Sequence, residues 1–532
     1  MKTTSPLIAG FTACVIALCF QCAPAFSQGS LTPPGAPAPI YKTLDQVEAR
    51  TMVNSTNTPG NASYLYIISA PGSYYLTGNL TVTTANGIEV TSPGVTLNLN
   101  GFQIASSGTT GDGITIAAAA QRCTVLNGSI SGFGYGAHCI VSGSGVEGGR
   151  FLQLTTSGCT SDGLVLGLSW RAEGCVADDN PGNGILVGSY CTLIDCTASG
   201  NTGIGISDSG VGNTLIHCTA NYNLASGIAD NGLSTLTDCA ASSNSGYGIY
   251  NGGTTGDTST LSHCTASYNG VGGIYDLATS TMVDCTAYGN GGNGITGGGT
   301  LSDCNSSGNT SAGISCGSGI ALNNCTATYN GVAGISGSGA ITQCNASSNG
   351  GAGFVAGGAI TRCVASSNGS SGISAASGST VKDCTATGNL GHGISAAADC
   401  TLVGNSSSSN GTGTAGSGIV SGSGSLVSGC TATNNKAAGI SVAGDSAVIA
   451  NVVASNGACG ASAGILTSGS GNRIEGNQVR SNTGTGILSG TTDVIIRNTA
   501  TNNSVVNYNP SSGTNFAPIQ TPAATTNPEA NF

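Results

Sequence analysis

Residues 196–228 read CTASGNTGIGISDSGVGNTLIHCTANYNLASGI and contain one repeat unit and most of the next. Each unit begins with Cys, followed by Ala two residues later, Asn five residues later and a Gly-apolar pair nine residues later. The anchor glycine of that pair recurs along most of the chain at intervals of 19 to 25 residues, most often 21. A period near 21 with apolar residues in twos and threes is typical of a solenoid, in which each unit buries its face by stacking on its neighbours.

Other solenoid classes fit the sequence poorly. Helical solenoids need periods of about 33 residues or more. Leucine-rich repeats need several Leu per unit, and neither a strict six-residue subrepeat nor a GGxGxD run occurs. Short apolar runs separated by Gly, Ser, Asn and Asp instead indicate strands and turns. We therefore predict an all-β fold: a right-handed parallel β-helix (β-solenoid) of about twenty coils, ~95 Å long, with N- and C-terminal caps.

Two columns of residues support this prediction. Cys fills one repeat position in twelve coils, and Asn recurs five residues later in each of them. Stacked at ~4.8 Å, Asn amides bond to the Asn above and below, and Asn also tolerates the left-handed conformation of a tight corner. We predict that both columns are structural ladders, which include Cys196, Cys218, Cys239 and Cys264 and, with them, Asn201, Asn223, Asn244 and Asn269.

The cysteines allow two interpretations. Nineteen follow the first 27 residues, and a secreted Cys-rich chain often forms disulfides. Equivalent Cα atoms of neighbouring coils lie ~4.8 Å apart, within bonding range, but parallel side chains would have to twist to pair. The odd total also leaves one Cys over, so the pattern favours a stack of packed thiols. Metal binding by these cysteines is disfavoured, because they have neither CxxC spacing nor a His partner.

The chain divides into four predicted segments. Residues 1–27 have a signal-peptide pattern, with Lys2, an apolar run over 7–20 and small residues after it. Residues 28–62 are a Pro-rich segment and N-terminal cap, in which KTLDQVEART (42–51) is a candidate capping helix. The β-helix is expected over 63–508 and a C-terminal cap or tail over 509–532. The chain is therefore predicted to be secreted, to the periplasm, cell surface or medium, with no membrane span.

The low and negative charge of the chain limits the kinds of molecule that it can be expected to bind. Charged residues make up 7% of the chain and the net charge is −11. No basic surface for nucleic acid or anionic membrane is therefore expected. The sequence does not indicate an oligomeric state.

A family resemblance appears in the first coils. GSYYLTGNLTV (72–82), VTLNLNGF (95–102) and the xGI repeats resemble the right-handed β-helix, pectin-lyase-like proteins secreted by bacteria. LDQVEART (44–51) and TNPEANF (526–532) are similar to the flanks of one group among them. The resemblance implies the fold over residues 40–532. It implies no single activity, because this superfamily includes lyases, hydrolases, binding proteins and surface proteins.

The enzyme motifs of that superfamily are incomplete. Gly391-His392-Gly393 matches one element of the polygalacturonase-like set, but Asp178-Asp179 lies 213 residues before it. Arg473-Ile474-Glu475 lacks the expected Lys. No catalytic residue is therefore assigned.

One polar column precedes the ladder Cys. It contains Asp195, His217, Asp238, His263 and Asp284. The alternation of inward and outward residues breaks there, which predicts a corner exposed to water. Stacked carboxylates and imidazoles at ~4.8 Å suit a cation or sugar hydroxyls. The alternative, which we favour, is that Asp and His simply suit corners and solvate the solenoid.

A second column lies three residues after the anchor glycine. It contains Asp208, Asp230 and Asp276, flanked by Tyr250 and Tyr275. Acids and aromatic rings on one rigid face would bind a glycan. Neighbouring carboxylates would also suit Ca²⁺ or an acid/base pair. The alternative is a solvated side on which Tyr residues stack for stability.

Three hypotheses about function follow. The leading one is a secreted, non-catalytic β-helix at or outside the cell envelope that binds polysaccharide on a side face. The second is a polysaccharide lyase or glycoside hydrolase of the pectin-lyase-like type. The third is a purely structural surface rod.

Overall fold

A computed structural model describes residues 49–106, 108, 111–139, 147–253, 258–276, 279–413, 416–458, 462–520 and 527–532. Residues 50–532 form one unit of parallel β-strands. The predicted signal peptide and residues 28–48 of the predicted cap lie outside the described residues. The candidate capping helix falls mostly there too, and its last residue, Thr51, begins a strand.

Each coil contributes three strands, which stack into three columns with parallel, in-register neighbours. Column A strands follow the ladder Cys, column B strands follow the anchor glycine, and column C strands precede the next Cys. Twenty-one strands stack in column B, which confirms the predicted solenoid.

Column A contains Leu80–Val82, Gln103–Ser106, Val176–Asp178, Thr197–Ser199, Thr219–Asn221, Ala240–Ser242, Thr265–Ser267, Thr286–Tyr288, Asn305–Ser307, Thr326–Thr328, Asn345–Ser347, Val364–Ser366, Thr385–Thr387, Ser406–Ser408, Thr431–Thr433, Val452–Ala454, Gln478–Arg480 and Thr499–Thr501. Column B contains Tyr64–Ile68, Asn86–Val90, Asp112–Ile116, Tyr135–Cys139, Leu164–Val165, Ile185–Val187, Ile206–Asp208, Ile228–Asp230, Tyr247–Asn251, Gly272–Asp276, Ile295–Gly297, Ile373–Ala375, Ile394–Ala396, Ile419–Ser421, Ile440–Val442, Ala463–Thr467, Thr485–Leu488 and Tyr508–Asn509.

Column C contains Thr51–Met52, Gly72–Tyr75, Val95–Asn98, Arg171–Glu173, Thr192–Ile194, Thr214–Ile216, Thr235–Thr237, Thr260–Ser262, Thr281–Val283, Thr300–Ser302, Thr380–Lys382, Thr401–Val403, Leu426–Ser428, Ala447–Ile449, Arg473–Glu475, Val494–Ile496 and Asn515–Phe516. Longer strands run through two columns: Thr124–Ser131 and Arg150–Ser157 through C and A, and Ile314–Asn323, Ile335–Thr342 and Phe354–Thr361 through B and C.

The Asn ladder lies inside the solenoid, as predicted. The Nδ2 group of Asn201 donates to Oδ1 of Asn223 (3.0 Å) and to the carbonyl of Ala177 (3.1 Å). The backbone N–H of Asn201 donates to the same Oδ1 (3.0 Å). Each coil is thereby bonded to the next at a turn between columns A and B, where backbone groups have no strand partner.

One of the two reasons expected for Asn at the ladder position, its tolerance of the left-handed conformation, was wrong. The ladder Asn does not take the left-handed conformation itself; the residue before it does, with φ of 57° at Tyr222, 56° at Ser243 and 57° at Tyr268. The amide is required for its hydrogen bonds rather than for backbone freedom.

The anchor glycine allows the ladder to form. A Cβ at Gly205 would lie 2.5 Å from Nδ2 of Asn223, 2.7 Å from the carbonyl oxygen of Gly227 and 3.0 Å from Cβ of Ala220. These separations are shorter than real carbon contacts. Any larger residue would therefore push the next coil away, which explains why Gly recurs at this position.

The described cysteines support the packed-thiol interpretation. All seventeen are free, and sixteen are buried; Cys316 is partly exposed. Each ladder Cys lies next to a corner and its thiol faces backbone carbonyls, as Cys239 does with Leu215 (3.5 Å) and Thr237 (3.5 Å). Burial raises the pKa of Cys159 and of Cys191 to about 11, so these thiols stay protonated near neutral pH.

The last residues complete the stack. Asn515–Phe516 pairs with Val494–Ile496. Asn531 accepts a hydrogen bond from the backbone of Asn498 (3.0 Å) and donates to the carbonyl of Ile495 (3.1 Å). The described residues of the C-terminal segment thus contact the final coil, and their assignment as a cap stays a prediction.

Candidate functional site: a side groove and a charged corner

The polar corner column is exposed, as expected. Its five residues all have φ between 51° and 53°, which is the left-handed region of a corner. The imidazole of His217 lies 3.5 Å from Asp195 and 3.4 Å from Asp238. That of His263 lies 3.9 Å from Asp238 and 3.5 Å from Asp284. We call Asp195, His217, Asp238, His263 and Asp284 the corner ladder.

The corner ladder is solvated. Its side chains are 43 to 62% exposed, where ion pairs contribute little because water screens them. Within the described part of the chain, no group of three or more His, Cys, Asp and Glu side chains is arranged to hold a metal ion. Cation or sugar binding by the corner ladder stays a prediction, and so does the alternative that it only solvates the solenoid.

The prediction that the acids of the second column lie on an outer face of the solenoid was wrong. Asp208, Asp230 and Asp276 are each 3% exposed and point into the coil, whereas Tyr250 and Tyr275 point outward. Neighbouring residues of a strand face opposite sides, so the acids and rings cannot share one face. Ligand binding by these residues is untested and stays a prediction.

The inner acids are held by polar partners. Ser234 and Asn213 donate to Asp208, and Ser259 donates to Asp230 (2.8 Å). Burial, and after it the charge of Asp230, raise the pKa of Asp208 to about 7. These acids and their Ser and Asn partners therefore form a row of polar side chains inside the solenoid, at the turn between columns B and C.

A tyrosine cluster stands on the outer face of column B. Tyr250 and Tyr275 stack with centroids 5.6 Å apart and an interplanar angle of 2°. Tyr247 packs against both, at 5.5 and 4.8 Å. Sequence reasoning missed Tyr247, because a separation of three residues on a regular strand would place it on the opposite face from Tyr250. The strand interrupts that alternation at Gly248 and Ile249, which are both buried. The cluster offers half-buried ring faces on a rigid strand stack.

A groove extends from this cluster along column B. Three cavities of about 230, 420 and 380 Å³ follow one another, the first two sharing Thr296 and the last two sharing Cys316 and Gly317. They span seven column B strands, or ~29 Å at the strand spacing. The outward residues of those strands are in register in the order Tyr250, Tyr275, Thr296, Ser315, Ser336, Val355 and Ser374.

The side groove, as we name it, was not predicted. Beyond the tyrosine cluster its described lining is mainly Ser, Thr, Gly and Ala, residue types that are common at the outward positions of the repeat. Only their stacking in consecutive coils makes a groove.

A family profile described as "Right handed beta helix region" matches residues 159–310, 211–339, 296–407 and 335–457. Together these matches cover more than half of the chain. The chain belongs to the right-handed beta helix family. The handedness predicted from the repeat is thus confirmed. No curated protein matches the chain, and the part that the structure describes contains no helix able to cross a membrane.

Several solved structures are similar to this right-handed β-helix at low identity. The pectate lyase Pel9A is 17% identical, with 52% of this chain and 71% of that chain covered and a TM-score of 0.31. The periplasmic alginate epimerase AlgG is 13% identical, with 57% and 80% covered and a TM-score of 0.23. Tailspike protein 2 of Bacteriophage CBA120 is 12% identical, with 54% and 43% covered and a TM-score of 0.21. These values carry no argument about activity.

Proposed function

We propose that this right-handed β-helix is a secreted, non-catalytic protein that binds polysaccharide along its side groove, at or outside the cell envelope. The observation that carries the proposal is the stacked tyrosine cluster at the head of a groove ~29 Å long. Ring faces pack against sugar C–H groups, and the Ser and Thr hydroxyls further along offer hydrogen bonds. The signal-peptide pattern of residues 1–27 supports export.

The groove favours binding over cleavage. Among its described lining residues, Asp276 is the one carboxylate, whereas glycoside hydrolysis commonly uses two carboxylates that flank the bond. Asp208 and Asp230 do not line the groove, and Asp276 is itself only 3% exposed. A lyase or hydrolase is the second candidate, and it differs from the first by shortening the polymer.

The test is retention on insoluble polysaccharides. Purified full-length protein is incubated with neutral, amino and acidic polymers, with and without Ca²⁺, and both retention and polymer length are measured. We expect retention without shortening. Tyr250→Ala with Tyr275→Ala should weaken retention by about tenfold or more.

The matched control is Tyr329→Ala. This ring is 71% exposed but precedes a ladder Asn at the turn between columns A and B, away from the groove. Its removal should leave retention unchanged. Shortening of any polymer would overturn the non-catalytic assignment, and no retention on any polymer would leave the structural rod as the better account.

A further inference from the structure

The first cavity of the side groove, of about 230 Å³, lies beside the tyrosine cluster. Tyr247 and Tyr275 line it in two consecutive coils, and Asn293 and Thr296 line it in the next coil. The ring of Tyr247 reaches that of Tyr275, at a centroid distance of 4.8 Å. A Cβ at Gly272 would lie 3.1 Å from the Tyr247 ring, so a larger residue there would displace the ring. The cavity therefore joins two aromatic rings to a polar wall.

The polar wall presents hydrogen-bond donors in a fixed arrangement. Oδ1 of Asn293 accepts the backbone N–H of Ala312 (3.1 Å), which identifies the other atom of the amide as the nitrogen, because an N–H donates only to the oxygen. Nδ2 of Asn293 donates to Oγ1 of Thr296 (3.1 Å). The amide keeps a second N–H, and Thr296 keeps its own hydroxyl hydrogen. The two side chains therefore offer two donors to the cavity.

Donors beside aromatic rings suit a neutral carbonyl group. No described lining residue of this cavity is charged, so a carboxylate would lose its water there without gaining a counter-charge. An ammonium group has only donors to set against the donors of the wall. A hydroxyl group accepts a hydrogen bond but brings no carbon to the apolar lining, Tyr275 and Val271. An acetamido group supplies both a carbonyl acceptor and a methyl group.

We infer that the first cavity holds the acetamido group of a 2-acetamido sugar. The side groove thereby selects polymers of such sugars over polymers of unsubstituted hexoses, free amino sugars or uronates. The carbonyl oxygen of the group accepts from Nδ2 of Asn293 and from the hydroxyl of Thr296, and its methyl group lies against Tyr275. This inference rests on the proposed function, because it assigns the ligand class of the same groove.

The experiment titrates the full chain by isothermal titration calorimetry with pentamers of N-acetylglucosamine, glucose, glucosamine and galacturonate. The first three have the same linkage and differ only in the substituent on the second carbon of each sugar. We expect the N-acetylglucosamine pentamer to bind at least about tenfold more tightly than each of the others. In saturation-transfer NMR of the same complex, the acetyl methyl protons should receive the strongest saturation, because they contact the rings.

One substitution tests the amide donor. Asn293→Asp keeps the oxygen that accepts from Ala312 and replaces Nδ2 with a second oxygen, so the preference for the acetylated pentamer should fall to within about twofold. The variant should fold, because Asp162 accepts the equivalent backbone N–H, that of Asn183 (2.8 Å), in an earlier coil. Asn183→Asp is the matched control. Asn183 accepts the backbone N–H of Ile204 (2.9 Å) in the same way, and it lies outside the described lining of the groove.

A second substitution removes the hydroxyl donor. Thr296→Val replaces the hydroxyl with a methyl group, and Val355 shows that the outward row of column B accommodates Val. The acetylated pentamer should bind about fivefold more weakly, as expected for the loss of one hydrogen bond.

The outcomes separate the two proposals. Equal or tighter binding of any of the other three pentamers overturns the acetamido selectivity and leaves polysaccharide binding intact. A preference that survives in both Asn293→Asp and Thr296→Val, or that disappears in Asn183→Asp as well, would show that the first cavity is not responsible, and would also overturn it. Absence of binding to all four pentamers, together with no retention on any insoluble polymer, overturns the proposed function itself. Retention only on polymers without acetamido groups overturns the selectivity alone.

Discussion

The Asn ladder makes a quantitative prediction about local stability. Asn435 is buried in the ladder, and the exposed Asn434 precedes it at the same turn. Nδ2 of Asn435 donates to the carbonyl of Ser407 (3.0 Å) and to Oδ1 of Asn456 (2.9 Å). Its Oδ1 accepts from the backbone N–H (3.1 Å) and Nδ2 (2.9 Å) of Asn410. Asn435→Ala removes all four bonds.

The expected cost is about 4 kcal/mol, at about 1 kcal/mol for each net hydrogen bond. Nδ2 of Asn410 keeps its bond to the carbonyl of Ala386 (3.0 Å), but the buried backbone N–H of Asn410 loses its acceptor. Because solenoid coils contact only their neighbours, the cost should be local and is best read from hydrogen exchange rather than from one global transition.

Hydrogen exchange with mass spectrometry measures this directly. Peptides that contain Asn410 and Asn435 should exchange roughly 1,000-fold faster in Asn435→Ala, whereas peptides several coils away should be unchanged. Asn434→Gly is the control, since it removes an identical amide outside the ladder and suits the φ of 56° at that residue. Equal exchange in the two variants would refute the view that the buried amides bond the coils together.

Three further predictions concern charge and thiols. Because the pKa of Asp208 is raised to about 7, its ionisation lowers stability as pH rises from about 4 through 7; Asp208→Asn should abolish this trend in thermal melts and gain up to about 4 kcal/mol at pH 8. Because burial raises the pKa of Cys159 and Cys191 to about 11, stability should fall again between about pH 9 and 11. Among the described cysteines, alkylation mapped by mass spectrometry should reach Cys316 first, because its side chain is partly exposed, although burial raises its pKa to about 12 as well. Asp238→Ala should change the unfolding free energy by less than about 1 kcal/mol in denaturant titration, despite its two His neighbours.

The fold could be predicted because every coil obeys the same packing constraints. The anchor Gly, the ladder Asn and the Cys occupy positions where a neighbouring coil touches the residue, so their period reveals the stack. The corner at Asp195 was also predictable, because the alternation of inward and outward residues fails there.

The candidate site was less predictable, for two physical reasons. Asp276 and Tyr275 are adjacent in sequence, and grouping them on one face neglected the alternation of a strand. The groove beyond Tyr275 consists of Ser, Thr and Gly, whose side chains have no individual signature. Its shape comes from small residues stacked in consecutive coils, a property of the assembled solenoid rather than of any one repeat.

The Asn ladder also determines how a chain of this kind can gain or lose repeats. Asn290 bonds to Asn309 across 19 residues, Asn244 to Asn269 across 25, and Asn456 to Asn482 across 26, with the same amide geometry. The bond needs an Asn at the same position of the next coil, and it does not depend on the length of the loop between the two coils. A gene that loses or duplicates one repeat therefore still encodes a continuous stack, and the side groove can be shortened or extended one strand at a time without redesign of the core.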